Sequence, residues 1–303
     1  MIAMQAPLAT VEVVVPKTAS KAPLRWKRQP PRIVLPRYGR RSEVIDLKKK
    51  DIETRNGTLV VGDLHCKQAE MLPRISAVAK ERGARSIVLL GDYTDEWGST
   101  ADDVLNALDF QIGWLEEQTA DGMNVTCLVG NHDFEYLIGR GCSGTHHEAF
   151  IEIRDKLQEI EMQAAACVDG FLLTHAGLTQ EWRDENLPGC DDAKACATRI
   201  NEFFFDGSSH CREKLSMVGW ARGGYGVPGP LWADLSELRD DTAQGINQIV
   251  GHTPVPTCEK IDDINETIWL CDTLSRTTSN RPIGDGTALL LSNGHAEVVP
   301  LRV

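Results

Sequence analysis

The stretch TLVVGDLH at residues 58–65 decides the fold, because it joins a short apolar run to a Gly-Asp turn and a histidine. A similar arrangement recurs as SIVLLGDYTD at residues 86–95 and as VTCLVGNHD at residues 125–133. Apolar residues at helical spacing separate these runs, over Gln68–Arg82 and Asp102–Gln118. Strands that alternate with helices at this spacing predict βαβ units, and therefore a sheet with parallel strands.

The remainder of the chain continues with one more helix and several short strands. His147–Met162 has the apolar spacing of a helix. Apolar runs predict further strands at Gly170–Thr174, Ile246–Val250, Thr267–Cys271, Ala288–Ser292 and Ala296–Leu301. The last three of these follow one another without helices, which predicts antiparallel pairing at that end. The expected fold class is α/β, with a mixed β-sheet sandwich flanked by helices.

Residues 1–56 differ from the rest of the chain in proline content and in charge. Residues 1–50 carry twelve Lys and Arg against three Asp and Glu, whereas the whole chain has a net charge of −12. Proline at this density interrupts helices and central strands. We therefore expect a basic N-terminal arm, which is either a solvated tail or a grip for nucleic acid, a partner subunit or the acidic body. Val11–Val15 and Ile33–Leu35 could form edge strands within it.

Residues 57–303 are expected to form the main domain, with a polar, cysteine-bearing insert near the site at about residues 180–235. The acidic balance of this domain suits a site that concentrates divalent cations, and does not suit broad, non-specific binding to nucleic acid. No apolar run approaches the roughly 20 residues of a membrane-spanning helix, so no membrane partner is expected. The apolar run near the N-terminus is too short for a secretory leader, and a cytoplasmic protein is predicted.

Polar side chains follow the apolar strands at five points. These segments are Gly62-Asp63-Leu64-His65, Gly91-Asp92-Tyr93-Thr94-Asp95, Gly130-Asn131-His132-Asp133, Thr174-His175-Ala176-Gly177 and Gly251-His252-Thr253-Pro254. Ligand sites in α/β proteins lie beyond the carboxyl ends of the strands, so the segments are expected to converge at one end of one sheet. A single Gly-Asp is often only a turn or a helix cap. Turns do not need histidine, however, and four of the five segments carry it. Carboxylate and imidazole ligands together suit Mn²⁺, Fe²⁺ and Zn²⁺.

Together the five segments resemble the motifs of the calcineurin-like metallophosphoesterase superfamily, and the resemblance covers nearly everything after the arm. They match that family's GDxH, GDxxD and GNH[DE] motifs, its lone His before Ala-Gly, and its GHTP form. The GHTP form at residues 251–254, with Pro230-Leu231-Trp232 before it, resembles the serine/threonine-phosphatase-like and bacteriophage-phosphatase branches. The resemblance implies hydrolysis of phosphate esters by a hydroxide held on two divalent metal ions. Manganese is the first expectation, with iron, zinc or nickel as alternatives.

The resemblance also implies a role for each matching residue. The implied metal ligands are Asp63 and His65 for the first ion, Asp92 between both ions, and Asn131, His175 and His252 for the second ion. His132 is the implied general acid, which protonates the leaving oxygen, and Asp95 orients His132 and keeps it protonated. Asn131 is also expected to contact the substrate.

Three positions depart from the pattern of that family. Pro254 stands where many members carry a further metal-binding histidine, so the first ion is expected in a more open site. Glu96 and Asp234 stand where phosphatase-like members carry arginines that clamp the substrate phosphate. The candidate replacements are Arg222, Arg140 and Arg183. Arg222 is favoured as a substrate-binding residue because it lies in a glycine-rich stretch.

The predicted function is hydrolysis of a small or flexible phosphoester, as a phosphomonoesterase or a phosphodiesterase. The basic arm gives an alternative, a nuclease or nucleic-acid end-processing enzyme guided by residues 1–50. A second alternative is a non-catalytic scaffold that holds metal. The presence of both His132 and Asp95 argues against the scaffold, because neither residue is needed merely to bind metal.

Overall fold

Two mixed β-sheets lie at the centre of the chain in the computed structural model, which describes residues 57–261 and 265–301. The first sheet contains β1 (Thr58–Val61), β2 (Ser86–Leu89), β3 (Asn124–Leu128), β4 (Met162–Gln163), β10 (Thr287–Ser292) and β11 (His295–Pro300). Their order across the sheet is β11-β10-β1-β2-β3-β4. Strands β1 to β4 run parallel, whereas β10 pairs antiparallel with both β1 and β11.

The second sheet packs against the first and is also mixed. It contains β5 (Ala165–Val168), β6 (Phe171–Thr174), β7 (Gln248–Pro254), β8 (Glu259–Ile261) and β9 (Ile268–Asp272). Their order is β5-β6-β7-β9-β8. The three central strands run parallel, and β5 and β8 are antiparallel edge strands. The predicted α/β fold, a mixed sheet sandwich flanked by helices, is confirmed.

Alternate residues of the central strands face two different apolar layers. In β1, Val60 packs against the second sheet, whereas Leu59 and Val61 pack with the core that the helices cover. The second sheet contributes Leu173 and Ile249 to the layer between the sheets. Strands that are covered on both faces need apolar residues at every position, which explains the continuous apolar runs in the sequence.

Helices pack on both sheets. Those before β4 are α1 (Gln68–Glu81), α2 (Ala101–Ala120), α3 (Asn131–Ile138) and α4 (Phe150–Leu157). Those between β6 and β7 are α5 (Gln180–Asn186), α6 (Ala193–Asp206), α7 (Ser209–Leu215) and α8 (Leu235–Asp240). Helix α2 contacts β3, and α6 contacts β5 and β6. Within the described ranges, no helix combines the length and apolar character that crossing a lipid bilayer requires.

The predicted helix at His147–Met162 is wrong at both ends. A 3-10 turn occupies His147–Ala149, α4 ends at Leu157, and Met162 begins β4 at the edge of the first sheet. Ile160 and Met162 are both buried and lie two residues apart, which is the spacing of a strand. The sequence did not indicate the change from helix to strand, because Ile160 also fits the helical spacing of apolar residues.

The predicted antiparallel end is right for two strands and wrong for the third. Strands β10 and β11 pair antiparallel, but β9 lies in the second sheet and runs parallel to β7. The reason is β8, which pairs antiparallel with β9 and reverses the chain after β7. Strand β9 therefore re-enters the sheet in the direction of β7.

The predicted domain organisation has two further parts, the basic N-terminal arm and the insert at about residues 180–235. The basic arm over residues 1–56, with its edge strands at Val11–Val15 and Ile33–Leu35, lies outside the described residues. The predicted insert at residues 180–235 is described, and α5, α6 and α7 each bury a large side chain in the main core. These side chains are Trp182, Ile200 and Leu215. The domain boundaries stay a prediction.

Candidate metal centre and active site

Loops from both sheets meet at the carboxyl ends of the parallel strands. The loops after β1, β2 and β3 come from the first sheet, whereas the segment after β6 and the end of β7 come from the second. The prediction that all five segments lie at the end of one sheet is therefore wrong. The sandwich explains their convergence, because two sheets packed face to face bring both sets of strand ends to one edge. Two groups of aspartate and histidine ligand atoms consist entirely of residues from these segments, Asp92-His175-His252 and Asp63-His65-Asp92, and within each group the atoms lie within 4.8 Å of one another.

The His175 group, named after its fully buried imidazole, consists of Asp92, Asn131, His175 and His252. The Nε2 atom of His175 lies 2.8 Å from Asn131 Oδ1, 3.2 Å from His252 Nδ1 and 3.4 Å from Asp92 Oδ2. Its Nδ1 lies 2.9 Å from the Leu90 carbonyl oxygen and donates a proton there, so Nε2 is the nitrogen that presents a lone pair once the ring is neutral. Lone pairs this close repel unless a cation lies among them, and ligands around a metal ion adopt this arrangement.

The His65 group consists of Asp63, His65 and Asp92. The Nε2 atom of His65 lies 3.8 Å from Asp63 Oδ2 and 3.8 Å from Asp92 Oδ2. Its Nδ1 lies 2.7 Å from the Asp95 carbonyl oxygen, so Nε2 again presents a lone pair. Asp92 Oδ2 therefore faces both histidine rings, while Asp92 Oδ1 accepts the backbone N–H of His132 at 3.0 Å. One carboxylate oxygen thus belongs to both groups.

The donor set of both groups fits divalent cations. Carboxylate, amide and imidazole ligands suit Mn²⁺, Fe²⁺ and Zn²⁺, and no cysteine belongs to either group. Burial raises the pKa of Asp63 well above its ordinary value, and the neighbouring Asp272 raises it further. Burial lowers the pKa of His175, but Asp92 and Asp63 outweigh it and raise the pKa to about 9. The site therefore contains buried negative charge that neighbouring basic groups do not fully compensate. A bound cation balances such charge.

Asp272 is a buried carboxylate at this site that the sequence analysis missed. It is the last residue of β9, and Ser275 donates to it from the backbone N–H at 3.2 Å and from Oγ at 2.8 Å. An acidic residue directly after a buried apolar strand is the signal that could have found it. The signal was weaker than in the other segments because Cys271, and no glycine, precedes Asp272.

His132 and Asp95 form a hydrogen-bonded pair beside the two groups. His132 Nδ1 lies 3.1 Å from Asp95 Oδ2, and the Tyr136 hydroxyl donates to Asp95 Oδ1 at 2.9 Å. Burial lowers the pKa of His132, but Asp92 and Asp95 outweigh it and hold the pKa well above its ordinary value. Asp92 and Asp95 therefore both favour the protonated form of the His132 ring. Its Nε2 is the nitrogen left to donate to a ligand.

A cavity of about 350 Å³ is lined by residues of both groups and by the His132–Asp95 pair. Of the three arginines considered as phosphate contacts, Arg222 lines it, whereas Arg140 and Arg183 do not. Arg222 Nε lies 2.9 Å from Asp234 Oδ2, and one of its terminal nitrogens donates to Thr253 Oγ1 at 3.3 Å. Other residues line the cavity although no sequence motif indicated them, among them Trp97, Cys142, His146 and Arg276.

The two carboxylates that replace the expected clamping arginines each have a basic partner. Glu96 forms an ion pair with Lys67, and Asp234 forms one with Arg222. The charge of Glu96 is thereby compensated at the edge of the cavity. Asp234 has a second effect, because it holds the Arg222 guanidinium close to the carbonyl oxygen of His252, at 3.4 Å.

Backbone strain is concentrated at this site. The site residues with positive φ are His65, Cys66, Asp92, Asp95 and His252. Non-glycine residues keep such conformations only where surrounding contacts enforce them. For His252 the cause is an irregularity in β7, whose register with β9 shifts between Val250 and Pro254. Bulges of this kind redirect a side chain, and this one brings the His252 ring to the His175 group.

Gly130 is required by the close approach of two loops. A Cβ atom at this position would lie 2.0 Å from Asp92 Oδ1 and 2.2 Å from the Asp92 backbone nitrogen. We expect Gly130→Ala to displace Asp92 and to weaken Mn²⁺ binding by about 10-fold to 100-fold, measured by calorimetric titration. Gly113→Ala is the matched control, because a Cβ there meets nothing within 4 Å. Equal Mn²⁺ affinity in the two variants would show that this loop does not position a ligand.

Removal of divalent metal is expected to destabilise the protein. The buried carboxylates Asp63, Asp92 and Asp272 lose their compensating charge when metal is withdrawn. Each bound ion present at 100 times its Kd contributes about 2.7 kcal/mol, which corresponds to a fall in Tm on the order of 5–10 °C for a domain of this size. Thermal unfolding with and without a chelator measures this shift. A Tm that does not change would contradict metal binding in the folded protein.

Several known proteins are similar to this chain. The family model for calcineurin-like phosphoesterases matches residues 58–266. A cold-active protein-tyrosine phosphatase from a psychrophilic Shewanella species is 19% identical, with a TM-score of 0.53 and 80% of each chain covered. A protein serine/threonine phosphatase from Saccharomyces cerevisiae is 11% identical, with a TM-score of 0.44, and the match covers 82% of this chain and 81% of that one. No curated protein matches the sequence.

Proposed function

This chain belongs to the calcineurin-like phosphoesterase family and is a metallophosphoesterase, and we propose that it hydrolyses small phosphate esters with two divalent cations. The proposed ligands are the His65 group for one ion and the His175 group for the other. The observation that carries the proposal is the position of Asp92 Oδ2, which faces both histidines and belongs to both groups. Manganese is the proposed metal, because the ligands are oxygens and imidazole nitrogens without thiolate.

The residues beside the metal ligands have complementary roles in this proposal. When bound, the two cations activate a water for attack on phosphorus and neutralise charge on the phosphoryl oxygens. His132 donates its Nε2 proton to the leaving oxygen, because its Nδ1 is already engaged by Asp95. The Tyr136 hydroxyl donates a hydrogen bond to Oδ1 of Asp95, the carboxylate oxygen that does not face His132. This contact orients the His132–Asp95 pair.

Two further side chains are proposed to hold the substrate phosphate. Arg222 presents a planar set of N–H donors to the cavity, and Asp234 holds it there. Oδ1 of Asn131 lies close to His175 Nε2, so the side-chain NH₂ group of Asn131 remains available to donate to a phosphoryl oxygen. A cavity of about 350 Å³ lies near the small end of ligand sites, and this size supports a small phosphoester as the substrate.

A paired assay tests this function. Metal-stripped protein is incubated with Mn²⁺ and either p-nitrophenyl phosphate or bis-p-nitrophenyl phosphate. We expect turnover that depends on Mn²⁺, and the faster compound assigns the enzyme as a monoesterase or a diesterase. Two bound Mn²⁺ ions without turnover of either compound would favour the scaffold alternative and contradict the proposal.

The positive charge of the N-terminal residues supports a nuclease as the second candidate function. Residues 1–50 carry twelve basic against three acidic residues, which suits contact with a phosphate backbone. Deletion of residues 1–50 is expected to abolish action on single-stranded DNA or RNA, if the full chain has it, and to spare p-nitrophenyl phosphate. If both activities survive the deletion equally, the arm does not guide nucleic acid to the site.

A cytoplasmic location stays a prediction from the sequence.

A further inference from the structure

A third set of metal-ligand atoms lies on the cavity wall, separate from the two groups proposed for catalysis. It consists of Asp95, His132 and Cys142, whose ligand atoms all lie within 4.8 Å of one another. His132 Nδ1 is 3.1 Å from Asp95 Oδ2 and 3.5 Å from Cys142 Sγ. We propose that these three residues form an inhibitory site for a thiolate-binding divalent cation, with zinc as the ion it takes.

The distances between the ligand atoms fit tetrahedral zinc. Zinc binds imidazole nitrogen and carboxylate oxygen at about 2.0–2.2 Å and thiolate sulfur at about 2.3 Å. At tetrahedral angles, these bond lengths separate nitrogen from oxygen by about 3.4 Å and nitrogen from sulfur by about 3.6 Å. The 3.1 Å and 3.5 Å separations observed at His132 are close to both values. All three residues line the cavity, which leaves the fourth position open to a solvent molecule.

Neighbouring side chains already orient the three ligands. Tyr136 donates to Asp95 Oδ1 and leaves Oδ2 directed at His132. The Thr145 hydroxyl accepts the Cys142 backbone N–H at 2.9 Å and lies 3.8 Å from Cys142 Sγ. Partners of this kind fix the orientation of metal ligands and raise their affinity.

Ligand chemistry separates this site from the catalytic groups. The His65 and His175 groups contain no sulfur, whereas the third set contains Cys142. Thiolate selects zinc over manganese, which prefers oxygen ligands. We therefore expect zinc to occupy the third site at concentrations below those at which it displaces manganese from the other two groups.

Zinc at this site blocks the proposed proton donation by His132. Binding displaces the Nδ1 proton of His132 and the thiol proton of Cys142 to solvent, and Asp95 then binds the cation in place of the ring. Zinc thus breaks the hydrogen bond by which Asp95 orients the His132 ring, and the ring is no longer held for proton donation. This consequence rests on the proposed function, whereas zinc binding itself does not.

Cobalt tests the binding, because thiolate bound to Co²⁺ gives a charge-transfer band in the near ultraviolet. Full-length protein loaded with Mn²⁺ is titrated with Co²⁺, and we expect one equivalent to produce the band. The band should vanish in Cys142→Ser and persist in Cys190→Ser, a control for a half-exposed cysteine away from the cavity. A band that survives in Cys142→Ser, or no band in the unaltered protein, would overturn the site.

Zinc inhibition tests the consequence. The fraction of Mn²⁺-dependent turnover that remains after addition of ZnCl₂ is compared between the unaltered protein and Cys142→Ser. With an alkyl phosphate as the substrate, we expect at least about 10-fold inhibition of the unaltered protein and little inhibition of the variant, since general acids contribute about 10²-fold or more when the leaving oxygen needs a proton. Equal inhibition of both would show that zinc displaces manganese, and would overturn the inhibitory role. If the protein hydrolyses no phosphoester, the proposed function fails, and the cobalt band still decides the site.

Discussion

Asp92→Asn is expected to lower Mn²⁺-dependent turnover by about 10³-fold, because the change removes the one carboxylate that faces both proposed ions. Asp92 Oδ2 lies 3.4 Å from His175 Nε2 and 3.8 Å from His65 Nε2, so loss of its charge weakens both metal sites together. Metal content and turnover are measured on the same preparation. We expect clearly fewer than two Mn²⁺ ions per chain in the variant.

The matched control for this variant is Asp121→Asn. Asp121 forms an exposed ion pair with Lys80, far from the cavity lining, and such pairs contribute about 1 kcal/mol or less to stability. The control should keep two ions and full turnover. Two full metal equivalents in Asp92→Asn would contradict the bridging role assigned to Asp92 Oδ2.

His132→Asn is expected to separate substrates by their leaving groups. A general acid contributes about 10²-fold to 10⁴-fold when the departing oxygen needs a proton, and much less when it does not. We therefore expect turnover of an alkyl phosphate to fall by about 10³-fold and turnover of p-nitrophenyl phosphate by about 10-fold or less. Bound Mn²⁺ should stay at the level of the unaltered protein, because His132 belongs to neither metal group.

His146→Asn provides the control within the same cavity. His146 lines the cavity wall, with Ser99 Oγ at 3.3 Å from its Nε2, and has no partner among the metal-ligand residues. It should not change the ratio of the two rates. Equal slowing of both esters in His132→Asn would argue that His132 does not protonate the leaving oxygen.

The strands and the site segments could be predicted because local chemistry specifies them. Thr58–Val61 is buried on both faces, which favours its apolar run Leu59–Val61, and the charged Asp63 after this run indicates the end of the strand. The same reasoning applies to Ser86–Leu89 and Asp92. Residues from five such segments meet at one site, and their identities alone indicated metal-ligand chemistry.

The arrangement of these segments could not be predicted, because it depends on contacts between distant parts of the chain. His252 reaches the site only through the irregular register of β7, which follows from pairing with β9. Lys67 and Glu96 lie 29 residues apart, so their ion pair was invisible in the sequence. In the sequence, Asp234 was notable only because it stands where an arginine was expected. In the structure, Asp234 forms an ion pair with Arg222.

The dependence of turnover on the number of bound Mn²⁺ ions tests the two-cation mechanism most directly. Mn²⁺ is added in steps to metal-stripped protein, and turnover of p-nitrophenyl phosphate is measured beside the bound metal. If both groups are needed, turnover lags behind occupancy at first, rises as the second ion binds, and reaches its plateau at two ions per chain. Turnover that grows in proportion to the first ion and is complete at one ion per chain would contradict the account.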